Sequence, residues 1–232
     1  MKIIHENLFD VSERGSMSAV RDMVVGPASV HDLNEFCRRW HYMNRSGITC
    51  NIFGLWDENT LVGCVAYNLP TMETCASVFG KDRWHTVFHM SRLVCAENAP
   101  RNSESKLIGA SLKLLKHARP DLKCVVTYAA QSAGHVGYVY QATNALYTGT
   151  GGEKYSYLDE QGDVRSTKQD NRLSLAGAEA RGWRRVTNLP KHRYIYLLGT
   201  KTEKAESRKL LLLEVQPYPK ISAQPAPDAI TN

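Results

Sequence analysis

The chain has 232 residues, 43% hydrophobic and 22% charged, with formal net charge +6 and a pI of about 9.0. That is the composition of a globular protein with one sizeable core, and no apolar run approaches the length that spans a bilayer. The opening MKIIHENLFDVSERGS carries Glu6, Asp10 and Glu13 without a long apolar block, so it does not read as a secretory signal. We therefore expect a soluble, intracellular protein, cytoplasmic in its host cell, with no membrane partner.

In chain order, residues 1–18 read as a loose leader. VRDMVVGP (20–27) is a short strand ended by Gly26-Pro27, and Ser29 caps a helix through VHDLNEFCRRWHYM. Leu33, Phe36, Cys37 and Trp40 recur at helical spacing and mark its core face; Arg38, Arg39 and Arg45 lie off it. ITCNIFGLW (48–56) and LVGCVAYNL (61–69) are strands joined by a turn at DENT. Residues 71–84 read as loop or short helix, and HTVFHMSRLVC (85–95) as a strand. SESKLIGASLKLLKHA (103–118) is a helix with Ile108, Leu112 and Leu115 on one face, closed by Pro120. LKCVVTYA (122–129) is a buried strand followed by a turn and a short helix. Beyond Gly149, EKYSYLDEQGDVRS suggests a hairpin about Gln161-Gly162, and HRYIYLLG (192–199) a strand. Residues 19–215 form one domain with a basic C-terminal part. The Pro-rich stretch from 216 to 232 reads as a flexible tail. Consecutive strands with one helix-strand crossover imply an α+β fold, a mixed sheet covered by helices.

The charge is uneven. Between Arg165 and Lys209 lie twelve Lys and Arg against four acids, a local balance of 12 − 4 = +8. The sharper reading of this segment is a nucleic-acid surface, with Arg184, Arg185, Lys191 and Arg193 reaching phosphates; the blander one is a solvated basic face. The six cysteines are scattered without a CxxC pair, so buried reduced thiols are expected rather than a zinc ribbon or disulfide framework.

Two stretches carry candidate chemistry. The strand-to-helix passage VFHMSRLVCAENAPRNSESKLIG places Arg92, Arg101, Asn102, Ser103 and Ser105 about a helix N-terminus, where free N–H groups and the positive dipole end can hold a pyrophosphate. Asn102 or Ser103 acting only as the helix cap is the alternative. The second stretch, TYAAQSAGHVGYVYQATN (127–144), is a strand end, a Gly-containing turn and a segment rich in Tyr and His.

The element order, with an anion-cradling loop after the fourth strand, resembles the GNAT acyltransferase fold, although PRNSESKLIGAS replaces that family's Gly-rich signature. A narrower resemblance rests on three motifs in order: His41-Tyr42 at a helix end, SRLVC and PRNSES within 91–105, and YAxxxxGHxGxxYQATN from 128 to 144. Over roughly residues 35–150 the chain is similar to the phage Mom family, a divergent GNAT branch. The resemblance implies an enzyme that places a carbamoylmethyl group on adenine N6 of phage DNA and so shields it from restriction. In that family the tripeptide after the strand is Tyr-Ala-Asp; here it is Tyr128-Ala129-Ala130. Ala130 thus stands where the family's proposed acid stands. The intact surroundings favour a deliberate Asp-to-Ala inactivation over a natural variant.

The resemblance also implies roles. A carboxylate at position 130, near His135, would accept the proton that N6 loses on attack. His41 and Tyr42 are candidate members of the same site, and Tyr140 a candidate acid for the leaving group. Tyr138 reads as packing. No metal is assigned; an iron site built from His41, Tyr42, His135 and the missing acid is the alternative. The donor is acyl-coenzyme A or another glycyl or acyl donor, including aminoacyl-tRNA, because a glycyl unit is isomeric with carbamoylmethyl. The partner is double-stranded DNA whose target base is flipped out; Arg38, Arg39 and Arg45 join the basic segment as candidate contacts. Two other readings stand beside this one: an ordinary GNAT N-acyltransferase acting on a protein or small amine, and a non-catalytic nucleic-acid-binding relative. If the leading reading holds, Ala130 and Tyr140 line one cleft.

Overall fold

A computed structural model describes residues 17–41, 51–131, 134–152, 154–162, 164–165 and 175–220. Its main body is a seven-stranded sheet in the order β1-β2-β3-β4-β5-β10-β6. Here β1 is Val24–Pro27, β2 Asn51–Asp57, β3 Thr60–Asn68, β4 Val87–Cys95, β5 Cys124–Ala130, β6 Leu146–Thr150 and β10 Lys191–Leu197. Neighbours are antiparallel except β4 and β5, which are parallel. A parallel pair needs a long crossover, and the helix α3 (Ser103–Ala118) supplies it.

Alternating side chains sort the helices onto two faces. On one face Leu107, Ile108 and Leu115 of α3 are fully buried with Leu55, Val65, Tyr67, Phe88 and Val125 of the strands. Each such side chain stabilises the fold by about 1.5–3 kcal/mol through burial alone. On the other face α1 (Val30–Trp40) sets Leu33, Phe36 and Cys37 over Leu61, Cys64, Ala66 and Val94. Beside it α2 (Met72–Phe79) sets Cys75, Val78 and Phe79 over Val87, Cys124, Val126 and Ile195.

The β4–β5 pairing stops at His89 and Val126, yet β4 continues to Cys95 and β5 to Ala130. The strands therefore part at the carboxyl end of β5. The α3 N-terminus and the short helix α4 (Tyr138–Ala142) border that gap.

Between β6 and β10 the chain builds a second, three-stranded sheet in the order β8-β7-β9, from β7 (Lys154–Leu158), β8 (Val164–Arg165) and β9 (Arg184–Asn188). The expected hairpin about Gln161-Gly162 is there, as β7 against β8. The pairing of β7 with β9 is long-range and had no local signal. A one-turn helix, α5 (Leu175–Glu179), precedes β9.

The mixed sheet covered by helices is the architecture that the element order implied. Three details differ. KTEKAESRKL forms a helix, α6 (Lys201–Leu210), closed at its start by a Thr200–Glu203 capping box. The ordered body begins before residue 19, since Ser18 donates its N–H to Asp57 Oδ2 at 3.1 Å. It also runs past 215: Gln216 N donates to the Tyr147 carbonyl at 2.9 Å and Tyr218 Oη to the Ala145 carbonyl at 2.8 Å. Residues 221–232 lie outside the described residues.

Candidate functional site

The gap between β4 and β5 brings together His41, Arg92 and His135 from the end of α1, from β4 and from the turn after β5. His41 arrives as the C-cap of α1, its N–H bonded to the Cys37 carbonyl. Helix α1 is placed by its own capping box: Ser29 Oγ accepts from Asp32 N at 3.1 Å, and Asp32 Oδ2 from Ser29 N at 2.8 Å. Arg92 projects from β4 on the α1 face, since it alternates in phase with Val94 and lies opposite Ala66. It sits close enough to Cys37 and His41 to bias both titrations. His135 is held at the end of β5 by its N–H, which donates to the Ala130 carbonyl at 3.2 Å.

Burial, helped by the positive charges of Arg92 and His135, lowers the His41 pKa to about 4. The imidazole is therefore neutral at physiological pH, a hydrogen-bond acceptor or donor rather than a cation. Glu104, in the first turn of α3, is shifted the other way: desolvation raises its carboxyl and the neighbouring His135 opposes the rise. His41, Arg92, His135 and Glu104 thus form one electrostatic neighbourhood across the mouth of the gap.

Ala130 is buried at the last position of β5, directly across from Lys191 of β10. Strand alternation places its methyl with Tyr128 and Val126 on the face that carries α1 and α2. Tyr140 belongs to the other face. It packs against the α3-side core and tilts against Tyr194 with ring centroids 5.4 Å apart. Ala130 and Tyr140 thus approach the same end of the sheet from opposite faces. Tyr138, expected to pack, is 59% exposed.

The turn that carries His135 is clamped from beneath. Tyr194 Oη donates to the Val136 carbonyl, and Gln141 Nε2 donates to Tyr194 Oη at 3.1 Å and to the Val136 carbonyl at 3.2 Å. Gly137 takes φ +81°, and a Cβ there would stand 2.5 Å from the Tyr194 ring, so no larger residue fits. Gln141 and Tyr194 are the residues that sequence reasoning missed. Gln141 lay inside the 128–144 motif; Tyr194 had no signal beyond its strand. His89 was also missed: at the last paired position of β4 with β5, it stacks edge-on against Tyr128 at 5.7 Å and bonds Asn68 at 3.2 Å.

Of the residues expected at the helix N-terminus, Arg101 and Asn102 are exposed and Ser105 is half-buried. Asn102 is the N-cap, in the left-handed region with φ 71°, and its side chain makes no capping bond. Ser103 is turned inward; both its N–H and its Oγ donate to the Pro100 carbonyl, at 3.1 and 2.7 Å, leaving no donor for a ligand. Arg92 projects on the α1 face of β4 and donates Nη1 to the Ser91 carbonyl at 2.6 Å.

The basic candidates divide in space. Arg184 and Arg185 are exposed on β9, and the Arg185 guanidinium lies 3.9 Å over the Tyr155 ring. Lys191 is exposed at the start of β10. Arg193 instead bonds Thr148, Nε to Oγ1 at 3.0 Å and Nη2 to the carbonyl at 2.9 Å, which ties β10 to β6. Arg38 pairs with Glu35 at 2.6 Å, and Arg39 stacks over Trp40 at 5.0 Å. Tyr42 and Arg45 lie outside the described residues.

Cys37, Cys64, Cys75, Cys95 and Cys124 are free, and burial pushes every one of these thiols up, so none is a thiolate at neutral pH. Among the described residues no group of three or more His, Cys, Asp or Glu is placed to hold a metal ion, and Ala130 offers no ligand atom. Nor is any described helix long and apolar enough to cross a membrane.

The fold, a mixed sheet split at one end and flanked by helices, is similar to solved acetyltransferases. An N-acetyltransferase from Staphylococcus aureus Mu50 matches with 11% identity over 77% of this chain and 99% of its own, at a TM-score of 0.46. A putative acetyltransferase from Salmonella typhimurium, solved with its cofactor acetyl-CoA, matches with 8% identity over 77% and 95%, also at 0.46. The Mom protein family model matches residues 22–220, and the chain belongs to that family. The methylcarbamoylase Mom of Escherichia phage Mu is 28% identical over 135 residues, 56% of this chain; the match spans only 55% of that relative's length.

Proposed function

We propose that this chain is a DNA-modifying group transferase of the Mom type, acting on the N6 amine of adenine. What carries the reading is the convergence of His41, Arg92 and His135 at the open end of the sheet, next to Ala130, in a chain of that family. The N6 lone pair is delocalised into the ring, so the amine must lose a proton as its new N–C bond forms and the donor's leaving group departs. The base must be flipped from the duplex to reach the site. His41, neutral and half-buried, suits orienting the amine or accepting its proton. Arg92 suits an anionic oxygen of the donor or of DNA.

The donor is an acyl-coenzyme A or another activated glycyl or acyl compound. Three features fit such a ligand: the unpaired stretch between β4 and β5, the α3 N-terminus without a side-chain cap, and the exposed Arg101. The group transferred is carbamoylmethyl, or a glycyl unit that rearranges to it.

Ala130 lacks the proton acceptor that the family places at the strand end. A carboxylate there would face Lys191 across the strands and lie beside His135, where the described groups are otherwise mostly basic. We therefore expect this chain to be inactive or slow and Ala130→Asp to restore activity. The test is mass spectrometry of nucleosides from cells expressing either form, grown with isotopically labelled glycine. Modified adenine from Ala130→Asp and none from the parent is the expected result, with label in the base if the donor is glycyl. Modified adenine from neither form would overturn the assignment. Modified adenine from both would show that another group takes the proton.

A further inference from the structure

The basic run from Arg165 to Lys209 is continuous in sequence but divided by the fold. Strand β10 runs from Lys191, opposite Ala130, to Leu197, opposite Cys124. Lys201, Lys204, Arg208 and Lys209 sit on α6, which starts from the Cys124 end. Arg184 and Arg185 sit on β9, which enters β10 at the Ala130 end.

The small sheet leaves and rejoins the body at that same end. Gly151 N donates to the Lys191 carbonyl at 2.8 Å, and a Cβ on Gly151 would stand 3.6 Å from the Tyr128 ring. From Thr150 to Tyr155 is five residues, at most about 17 Å of extended chain. The small sheet therefore stands beside the gap that holds His41, Arg92 and His135.

Its chemistry suits an anionic strand. Among the described residues β9 is an edge strand, and Arg184 and Arg185, pointing to opposite faces, both flank that edge. Among the described residues neither pairs with a carboxylate. The Arg185 guanidinium carbon lies 3.9 Å over the ring of Tyr155, itself 43% exposed. A guanidinium stacked this way is ordered in advance while its in-plane N–H groups point outward, the geometry that binds phosphate two-pronged. The nearest acids are Glu179 of α5, which shares Tyr157 with Arg185 as an electrostatic neighbour, and Asp159 and Glu160, which follow Leu158, the register partner of Arg184.

We propose that this appended sheet grips the DNA strand flanking the target adenine, with Arg184 and the Tyr155-stacked Arg185 on its phosphates. The inference rests on the DNA reading above and adds to it the place of the grip. The α6 basic residues, at the other end of β10, take no part.

The experiment is fluorescence anisotropy of the full chain against a labelled duplex of about 20 base pairs, titrated with salt. Each lost phosphate contact should flatten the slope of log affinity against log salt by about 0.9, so Arg184→Ala/Arg185→Ala should flatten it by about 1.8. Tyr155→Ala should weaken binding by about two- to fivefold, the effect of losing one exposed cation–π partner. Tyr155→Phe keeps the ring and should bind like the parent. Lys204→Glu/Arg208→Glu on α6 should also bind like the parent. If the parent binds but the double-Arg variant matches it in affinity and slope, the grip lies elsewhere while the DNA reading stands. Loss confined to the α6 variant overturns the proposal in the same way. A parent that fails to bind duplex even at low salt removes both the DNA reading and this inference.

Discussion

His41 concentrates the electrostatics of the site in one titration. Its imidazole is half-buried and faces Arg92 and His135, and all three influences oppose its cation. With a pKa of about 4 in the fold against about 6.5 in the unfolded chain, the unfolded state binds the extra proton between those values. The contribution to stability is thus complete above about pH 6.5 and is lost as pH falls from there to 4. Removing the neighbouring positive charge with Arg92→Ala should raise this pKa. Adding a negative one with Ala130→Asp should raise it too. Carbon-13 NMR of labelled histidine reads the titration directly; a His41 pKa unmoved by either change would separate His41 from Arg92 and from position 130. Residue types and motif spacing singled out His41, Arg92 and His135, which the fold brings near one another. Which face each uses was harder to read. Tyr140 and Ala130 share a motif, yet β5 sends the Ala130 methyl to the α1 side while α4 turns Tyr140 toward the α3 side. Counting alternation from Val125 would have placed Ala130; nothing local would have placed Tyr140.

At the scale of elements, local chemistry was the dependable guide and long-range pairing was not. The Ser29 cap, and the apolar spacing of 103–118, announced α1 and α3 because caps and helical periodicity are written within a few residues. Helix α6 carries the same kind of signal, Thr200 with Glu203, but KTEKAESRKL has only one buried residue, Ser207, so no apolar stripe drew attention to it. The parallel β4–β5 contact, the insertion of β10 between β5 and β6, and β9 beside β7 depend on chain closure over tens of residues, which composition does not encode. The His135 turn depends on such a contact, since Tyr194 reaches it from β10. Gly137→Ala tests that dependence. A methyl at φ +81°, 2.5 Å from the Tyr194 ring, should cost about 1–3 kcal/mol and loosen the 134–137 turn. Thermal unfolding and hydrogen exchange of those amides measure the two effects. An alanine variant as stable as the parent would show that the turn is free of Tyr194.

Across the whole molecule, the two ends of the sheet have different work. The Cys124 end is stitched shut: Lys116 Nζ donates to the Pro120 and Leu122 carbonyls at 2.6 and 3.0 Å and pairs with Glu203 at 3.2 Å. The Ala130 end stays open, bordered by the α1 terminus, the α3 N-terminus, the His135 turn and the small sheet. Between them the segment after α6 acts as a strap. Leu212 N donates to the Val78 carbonyl of α2, Leu211 and Leu213 pack on the α2-side core, and Gln216 and Tyr218 bond the β6 region. If this strap holds the body together, a chain ending after Lys220 keeps it whole and serves as the reference. Ending it after Leu210 should remove two partly buried leucines and the three hydrogen bonds, roughly 3 kcal/mol in all. For a domain of this size that corresponds to a fall of about 6–12 °C in melting temperature. Calorimetry of the two truncated chains beside the parent makes the comparison. Equal melting of the shorter chain would mean that the 211–218 segment rests on the surface without supporting it, and that β6 is held by β10 and Arg193 alone.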